Sequence, residues 1–313
     1  MTETRRHVEP LEELQFALAE GDAIHPPKGL VQTVLDAALA TRAAGRPVHE
    51  PPPISEFEAF RRAVASLDRL LESLDAEQWR LPALRDLDVQ GLVGHLTGVE
   101  RGFLASLHEP DGAQADADHV ASTDAVALAQ GGRSPAETLR HWQVAAAETL
   151  GALSEAETSS HLDETVALHG LRLPLGPMLV VRTFELWTHE EDIRRATARP
   201  LQAPDAASLR LMTELAVAML PSGMRRADRD AGGRCARIVL TGPGGGTWQR
   251  DLGSTPDDSR SRGPADVRIV LDAVDFCRLV ANRVDPAALA TVVDGDHALA
   301  QDLFVGAASL ALD

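Results

Sequence analysis

The chain has 313 residues, 44% of them hydrophobic and 25% charged, with a formal net charge of −17. That length exceeds what one small core organises and predicts two domains plus an additional segment. The negative excess repels a phosphate backbone, and no basic cluster with interleaved aromatics offsets it, so nucleic-acid partners are excluded and a small-molecule partner is expected.

Met1 to His7 lead into a charged stretch with no apolar core, and no later run has the length that spans a bilayer. The expectation is a cytoplasmic protein without a membrane segment. Residues 1–53 hold two modest helical stretches and close in Glu50-Pro51-Pro52-Pro53, which reads as an extended boundary. Four amphipathic segments then fill residues 54–200. Residues 55–74 place Phe57, Phe60, Val64, Leu67, Leu71 and Leu74 at three- and four-residue spacing, the mark of a helix with one buried face. Residues 88–107 form a second helix, with His95 on the inward stripe of Leu92, Val99 and Phe103. A polar loop is expected over about 109–133. Ser134-Pro135-Ala136-Glu137 opens the third helix with a cap, a proline at the first position and an acid in the first turn; its stripe is Leu139, Trp142, Ala146, Leu150 and Leu153. The fourth helix is expected over 176–197, with Pro200 just beyond it. Four such helices in succession predict a bundle whose interior can hold inward-pointing ligands.

Residues 201–313 differ in character. A helix fits 205–220, strands fit 236–240 and 267–271, and Gly242-Pro243-Gly244-Gly245-Gly246 reads as a hairpin loop with no phosphate-binding lysine after it. Helices fit 273–282 and 297–309. The fold class expected is therefore mainly α, a four-helix bundle followed by a smaller α+β domain.

The chemistry concentrates in the fourth helix. Glu185 and His189 stand four residues apart in Phe184-Glu185-Leu186-Trp187-Thr188-His189-Glu190-Glu191-Asp192, so their Cβ atoms lie roughly 5–6 Å apart on one helical face. With His95 from the second helix they make a candidate set of two imidazoles and one carboxylate that suits zinc and leaves a coordination position open. Nickel, iron and manganese accept the same ligands. Each residue also has a plainer reading. Alone, His95 reads as a core histidine satisfied by a carbonyl, and Glu185 as the ion-pair partner of Arg182 or of an arginine on a neighbouring helix. Asp192 is placed to receive the His189 imidazole N–H, or to cap an exposed turn.

Other motifs lead nowhere. Ile193 stands where H-E-x-x-H requires its second histidine, so a metalloprotease is not indicated. No serine or cysteine sits in a nucleophile elbow. His108, His119, His141, His161 and His169 fall in loops or off the apolar stripes and receive no role. Cys235 and Cys277 lack paired spacing and read as buried small hydrophobes. With no tyrosine and a single lysine, Lys28, phenol acid catalysis and Schiff-base chemistry are both disfavoured.

Gly94-His95-Leu96-Thr97-Gly98-Val99-Glu100-Arg101 together with Glu185-Leu186-Trp187-Thr188-His189-Glu190-Glu191-Asp192 resembles the metal-binding domain of mycothiol-dependent maleylpyruvate isomerases, part of the wider DinB-like superfamily of four-helix bundles. The resemblance covers roughly residues 54–200, and the α+β segment to 313 is similar to the family's C-terminal domain. It implies His95, Glu185 and His189 as the ligands of a divalent metal, usually Zn2+, and mycothiol as a co-substrate. It also implies an arginine reaching the site from the C-terminal domain; Arg283 is the best-placed candidate, with Arg278 and Arg268 competing. Residues 1–53 have no counterpart in that pattern.

Because a metal-bound thiol is deprotonated whereas a free one of pKa about 8.5 is not, the function expected is an enzyme that activates a low-molecular-weight thiol. That thiol would be transferred to, or would isomerise, a small electrophile whose carboxylate Arg283 binds. Two rivals stand beside it. One is a zinc-water hydrolase; the other is a non-enzymatic metal sensor whose residues 1–53 contact a protein partner.

Overall fold

The computed structural model describes residues 51–109, 112, 115–158, 163–253 and 264–311. The helical stretches expected before residue 51, and the partner surface placed there, lie outside the described residues.

The bundle is built from α1 (Glu56–Glu72), α2 (Val89–His108), α4 (Pro135–Thr158) and α5 (Leu175–Ala196). Each start carries its own chemical signal. Ser55 Oγ accepts the Glu58 N–H at 3.1 Å to cap α1, and Asp88 Oδ1 accepts the Gly91 N–H at 2.7 Å to cap α2. Before α4, Ser134 and Glu137 form a reciprocal capping box, with Ser134 N–H donating to Glu137 Oε2 at 2.8 Å. The apolar stripes then meet. Phe60, Leu67 and Leu71 pack with Leu92, Leu96, Phe103, Trp142 and Leu153, and with Met178, Leu179 and Leu186 from α5.

Several features depart from the sequence expectation. The segment expected as a loop over 109–133 contains the helix α3 (Ala121–Leu128), which packs on α2. Gly94 and Gly98 make that approach possible, since a Cβ on Gly94 would lie 2.5 Å from Gln130 Cγ and 2.9 Å from Ala127 Cα, and one on Gly98 3.1 Å from Thr123 Cγ2. Two short antiparallel hairpins also flank the bundle: β1 (Pro82–Leu84) with β2 (Leu87–Asp88), and β3 (Thr165–Leu168) with β4 (Leu171–Pro174). The second turns on His169 and Gly170 at φ 51° and 76°, the pair of positive angles that a two-residue hairpin turn needs.

The remaining chain forms α6 (Ala206–Arg226), β5 (Cys235–Thr241), β6 (Gly246–Asp251), β7 (Val267–Asp272), α7 (Ala273–Val280), β8 (Val292–Gly295) and α8 (His297–Ala308). The sheet order is β6-β5-β7-β8, with β5 and β7 parallel and the outer pairings antiparallel. The glycine loop thus joins β5 to β6, not to β7. The sequence Gly-Thr-Trp-Gln-Arg-Asp of β6 hides its strand character because only Trp248 is apolar. Helix α6 continues through Pro221, where a stop was expected, and carries Met224 into the core.

Leu209, Met212, Leu220, Ile238, Ile269, Phe276 and Leu303 form this second core, and Val180 and Trp187 of α5 belong to it. Helix α5 therefore presents apolar surface to two cores at once. That explains why charges on its last turns, Glu190, Glu191 and Asp192, are buried. Among the described residues no helix is long and apolar enough to cross a membrane.

Candidate metal centre

Three side chains from two helices converge inside the bundle. His95 of α2 and Glu185 and His189 of α5 each offer a ligand atom, and these atoms lie within 4.8 Å of one another. Both imidazoles are buried, and the Glu185 side chain is 11% exposed.

The hydrogen bonds behind the rings decide which nitrogen faces inward. His95 Nδ1 lies 2.6 Å from Thr123 Oγ1. That hydroxyl itself donates to backbone carbonyls of His119 and Val120, so it accepts the Nδ1 proton and Nε2 of His95 keeps its lone pair. Likewise His189 Nδ1 lies 3.1 Å from Asp192 Oδ2, which takes that N–H and leaves Nε2 as the free nitrogen. Nε2 of His95 and Oε1 of Glu185 are buried without any hydrogen-bond partner. They stand 3.7 Å apart, too far for a hydrogen bond. Buried polar atoms of this kind are normally satisfied. An ion with metal–ligand bonds of about 2.1 Å sets its tetrahedral ligands about 3.4 Å apart, so small side-chain rotations would satisfy both atoms at once. The donor set fits a divalent cation.

The ion-pair reading of Glu185 also describes a real contact. Arg182, buried one turn earlier on α5, bonds Glu185 Oε2, and its Nη2 donates to Glu100 Oε1 at 2.5 Å. The two roles use different oxygens, since Oε2 meets the guanidinium while Oε1 faces the imidazoles. Burial alone would raise the Glu185 carboxyl, but Arg182 and the neighbouring His119 and His95 hold it well below the usual carboxylate range. Burial pushes Glu100 up despite Arg182. Burial also depresses His95, which keeps its imidazole neutral and able to coordinate.

Asp192 sits between His189 and the C-terminal domain. Arg283 donates from Nε to Oδ1 and from Nη2 to Oδ2, both at 3.0 Å, and from Nη1 to the Ala281 carbonyl. Burial opposes ionisation of Asp192, yet His189 and Arg283 lower it overall. The arginine expected to grip a substrate carboxylate is thus committed to an internal carboxylate that orients a histidine. Its competitors are placed elsewhere: Arg278 pairs with Glu191 at 2.8 Å and with Asp275 at 3.1 Å, and Arg268 is exposed on β7. Glu191 and Asp192 of α5 are thereby clamped by Arg278 and Arg283 of the segment around α7.

Sequence reasoning passed over two histidines. His119, just before α3, is buried with Nε2 at 3.4 Å from Glu185 Oε1, and its ring meets His95 edge-on with centroids 4.9 Å apart. His119 Nδ1 lies 2.8 Å from Nδ1 of His169 in the β3–β4 turn. Neither residue sits on a periodic stripe; the signal that was available is the glycine pair of α2, which marks where a second segment presses against the helix of His95.

Glu185 and His189 also line a cavity of about 220 Å³ whose walls are Leu171, Leu173, Val181, Phe184, Leu215, Met219 and Val280. Ser222 and the exposed Arg226 lie on the same cavity.

The family model described as Mycothiol maleylpyruvate isomerase N-terminal domain matches residues 60–194. Among solved structures, the chain is similar to a mycothiol-dependent maleylpyruvate isomerase at 14% identity and a TM-score of 0.52, covering 75% of this chain and 91% of that one. A histidine-to-alanine mutant of such an isomerase matches at 13% identity and the same TM-score and coverage. At these identities the likeness is one of fold. No curated protein matches the chain.

Proposed function

We propose, from the match of residues 60–194 to the family model for the mycothiol maleylpyruvate isomerase N-terminal domain, that this chain is a metal-dependent enzyme that activates a low-molecular-weight thiol, mycothiol in the first instance, toward a small electrophile. The observation that carries the reading is the pair of buried, unpartnered atoms, His95 Nε2 and Glu185 Oε1, beside His189, within the segment that the family model matches. His95, Glu185 and His189 would hold the ion, with zinc the expected species for this donor set. When bound, such an ion supplies the chemistry of lowering a thiol's pKa so that it reacts as thiolate at neutral pH.

The protein's own groups set the stage for that chemistry. Thr123 and Asp192 fix the tautomers of the two imidazoles, and Arg182 keeps Glu185 ionised from the opposite side. Arg283 holds Asp192, so the C-terminal domain contributes to the site through His189 rather than by touching substrate. The cavity walls beside the site are mostly apolar and offer water few partners. In an isomerisation the sulfur adds to a conjugated double bond, the π pair moves onto the adjoining carbonyl, rotation follows, and return of the pair expels the same thiolate. In a transfer the adduct takes up a proton and leaves as a thioether. A cytoplasmic location goes with this reading.

Cobalt-substituted protein titrated with mycothiol tests the proposal. A sulfur-to-cobalt charge-transfer band in the near ultraviolet, absent with the O-methyl serine analogue of the thiol, is expected. Turnover of an electrophile without any thiol, or no band at saturating mycothiol, would turn the reading toward a hydrolase or a sensor.

A further inference from the structure

The cavity beside Glu185 and His189 says more about the electrophile than the ligand set does. Its walls come from β4, α5, α6, the end of α7 and the residues after α8 and are almost wholly hydrocarbon, with Val181, Phe184, Leu215, Met219 and Val280 among them. An apolar cavity of about 150 Å³ suffices for benzene; at about 220 Å³ this one takes a substituted ring or a branched chain. Charged groups gain nothing from such walls, since removing an ion from water without a partner is costly. In the metal-free protein any anion placed deep in the cavity would also face the Glu185 carboxylate.

Away from the ligand set, and among the described residues, counter-charge is available at one place. Arg226 is the single arginine or lysine among the lining residues; it is exposed and forms no ion pair or hydrogen bond with the described residues. Arg278 and Arg283, the other cations near α5, are taken by Glu191 and Asp192.

We propose that the electrophile used at this site is a predominantly apolar molecule with at most one carboxylate, its body seated against Phe184, Leu215 and Met219 and its anionic end on Arg226. The inference rests on the thiol-activation reading of the same site and narrows its substrate away from the small polyanion for which the relatives are named. Apolar burial supplies the affinity and Arg226 fixes which end enters first.

The experiment is displacement of the fluorescent probe 1-anilinonaphthalene-8-sulfonate from the full chain, metal-free and zinc-loaded, without thiol. Butanoate, hexanoate and octanoate are compared with maleate and fumarate. The monocarboxylates are expected to displace the probe, each added methylene tightening binding by about three- to fourfold, while the two dicarboxylates do not compete. Arg226→Gln is expected to weaken octanoate by about two- to fivefold, the range for an exposed ion pair, and to leave 1-octanol unchanged. Leu215→Asp should abolish displacement with the circular dichroism intact. Stronger competition by the dicarboxylates, affinity independent of chain length, equal octanoate binding by Arg226→Gln, or a folded Leu215→Asp that binds as wild type would each overturn the proposal. The chain-length series is read on unmodified protein and so survives a variant that does not fold. No arm involves thiol or turnover, so failure of thiol activation and failure of apolar selectivity give separate results.

Discussion

Replacing Arg182 by methionine probes the electrostatic centre of the bundle most sharply. The guanidinium is buried and lies between Glu100 and Glu185, with Nη2 at 2.5 Å from Glu100 Oε1 and a second contact to Glu185 Oε2. Methionine fills a similar volume but leaves two buried carboxylates facing each other without a cation. Removing one partner of a buried ion pair costs about 3–5 kcal/mol, a large share of a total stability of about 5–15 kcal/mol. The variant has a pH signature. Burial already raises the Glu100 carboxyl, and without Arg182 it rises further above its unfolded value. A raised folded pKa favours the fold below the unfolded value and loses that advantage as pH rises, so the destabilisation is smaller at pH 5 than at pH 8. The assay is urea unfolding followed by far-ultraviolet circular dichroism at both pH values. Adding Glu100→Gln to Arg182→Met should recover about 2 kcal/mol at pH 8, because one of the two uncompensated charges, the more deeply buried one, is gone. A loss below about 1 kcal/mol at both pH values, or one that does not change with pH, would refute the buried triad.

Three further outcomes follow from the same contacts. Thr123→Val removes the acceptor that fixes the His95 tautomer and should weaken metal binding by about 10- to 100-fold in a chelator competition, with Thr123→Ser restoring most of it. Asp192→Asn should weaken metal binding over a similar range by loosening His189, and limited proteolysis should show greater cleavage around α7 because Arg283 loses its carboxylate. His169 is held at about 4 against 6.5 for a free imidazole, by burial first and His119 second. The unfolded chain therefore protonates first, so stability is full above pH 6.5 and falls as pH drops toward 4. In His169→Asn, which tolerates the positive φ of that turn, this fall should shrink by about 1–2 kcal/mol after allowing for solvent screening.

The helices that build the bundle were legible because their apolar residues repeat at helical spacing, and the caps at Ser55, Asp88 and Ser134 mark where three of them start. The adjacency of Glu185 and His189 follows from spacing alone. Their meeting with His95 does not; it was inferred from the inward stripe of α2 and the family resemblance. What escaped reading lacks a period. Helix α3 has only eight residues, Ala-Ser-Thr-Asp-Ala-Val-Ala-Leu, with little apolar bulk to mark a buried face, so the placing of its Thr123, and of His119 just before it, depends on docking against Gly94 and Gly98. The β6 strand reads as polar because it lies at the sheet edge. Arg283 illustrates a different limit, because an arginine near a site from sequence says nothing of whether it meets substrate or an internal carboxylate, and here Asp192 claims it. Glu185 had two readings in the sequence, metal ligand or partner of Arg182, and a carboxylate has an oxygen for each.

The account turns on whether one cation is held by His95, Glu185 and His189. Elemental analysis and competition titration of purified wild type beside His95→Ala, Glu185→Gln and His189→Ala measure this directly, with circular dichroism confirming that each variant remains helical. Near one equivalent of divalent metal in the wild type and well under a tenth of that affinity in each variant is the predicted result. Full stoichiometric binding in all three folded variants, or none in the wild type under metal-replete conditions, would contradict it.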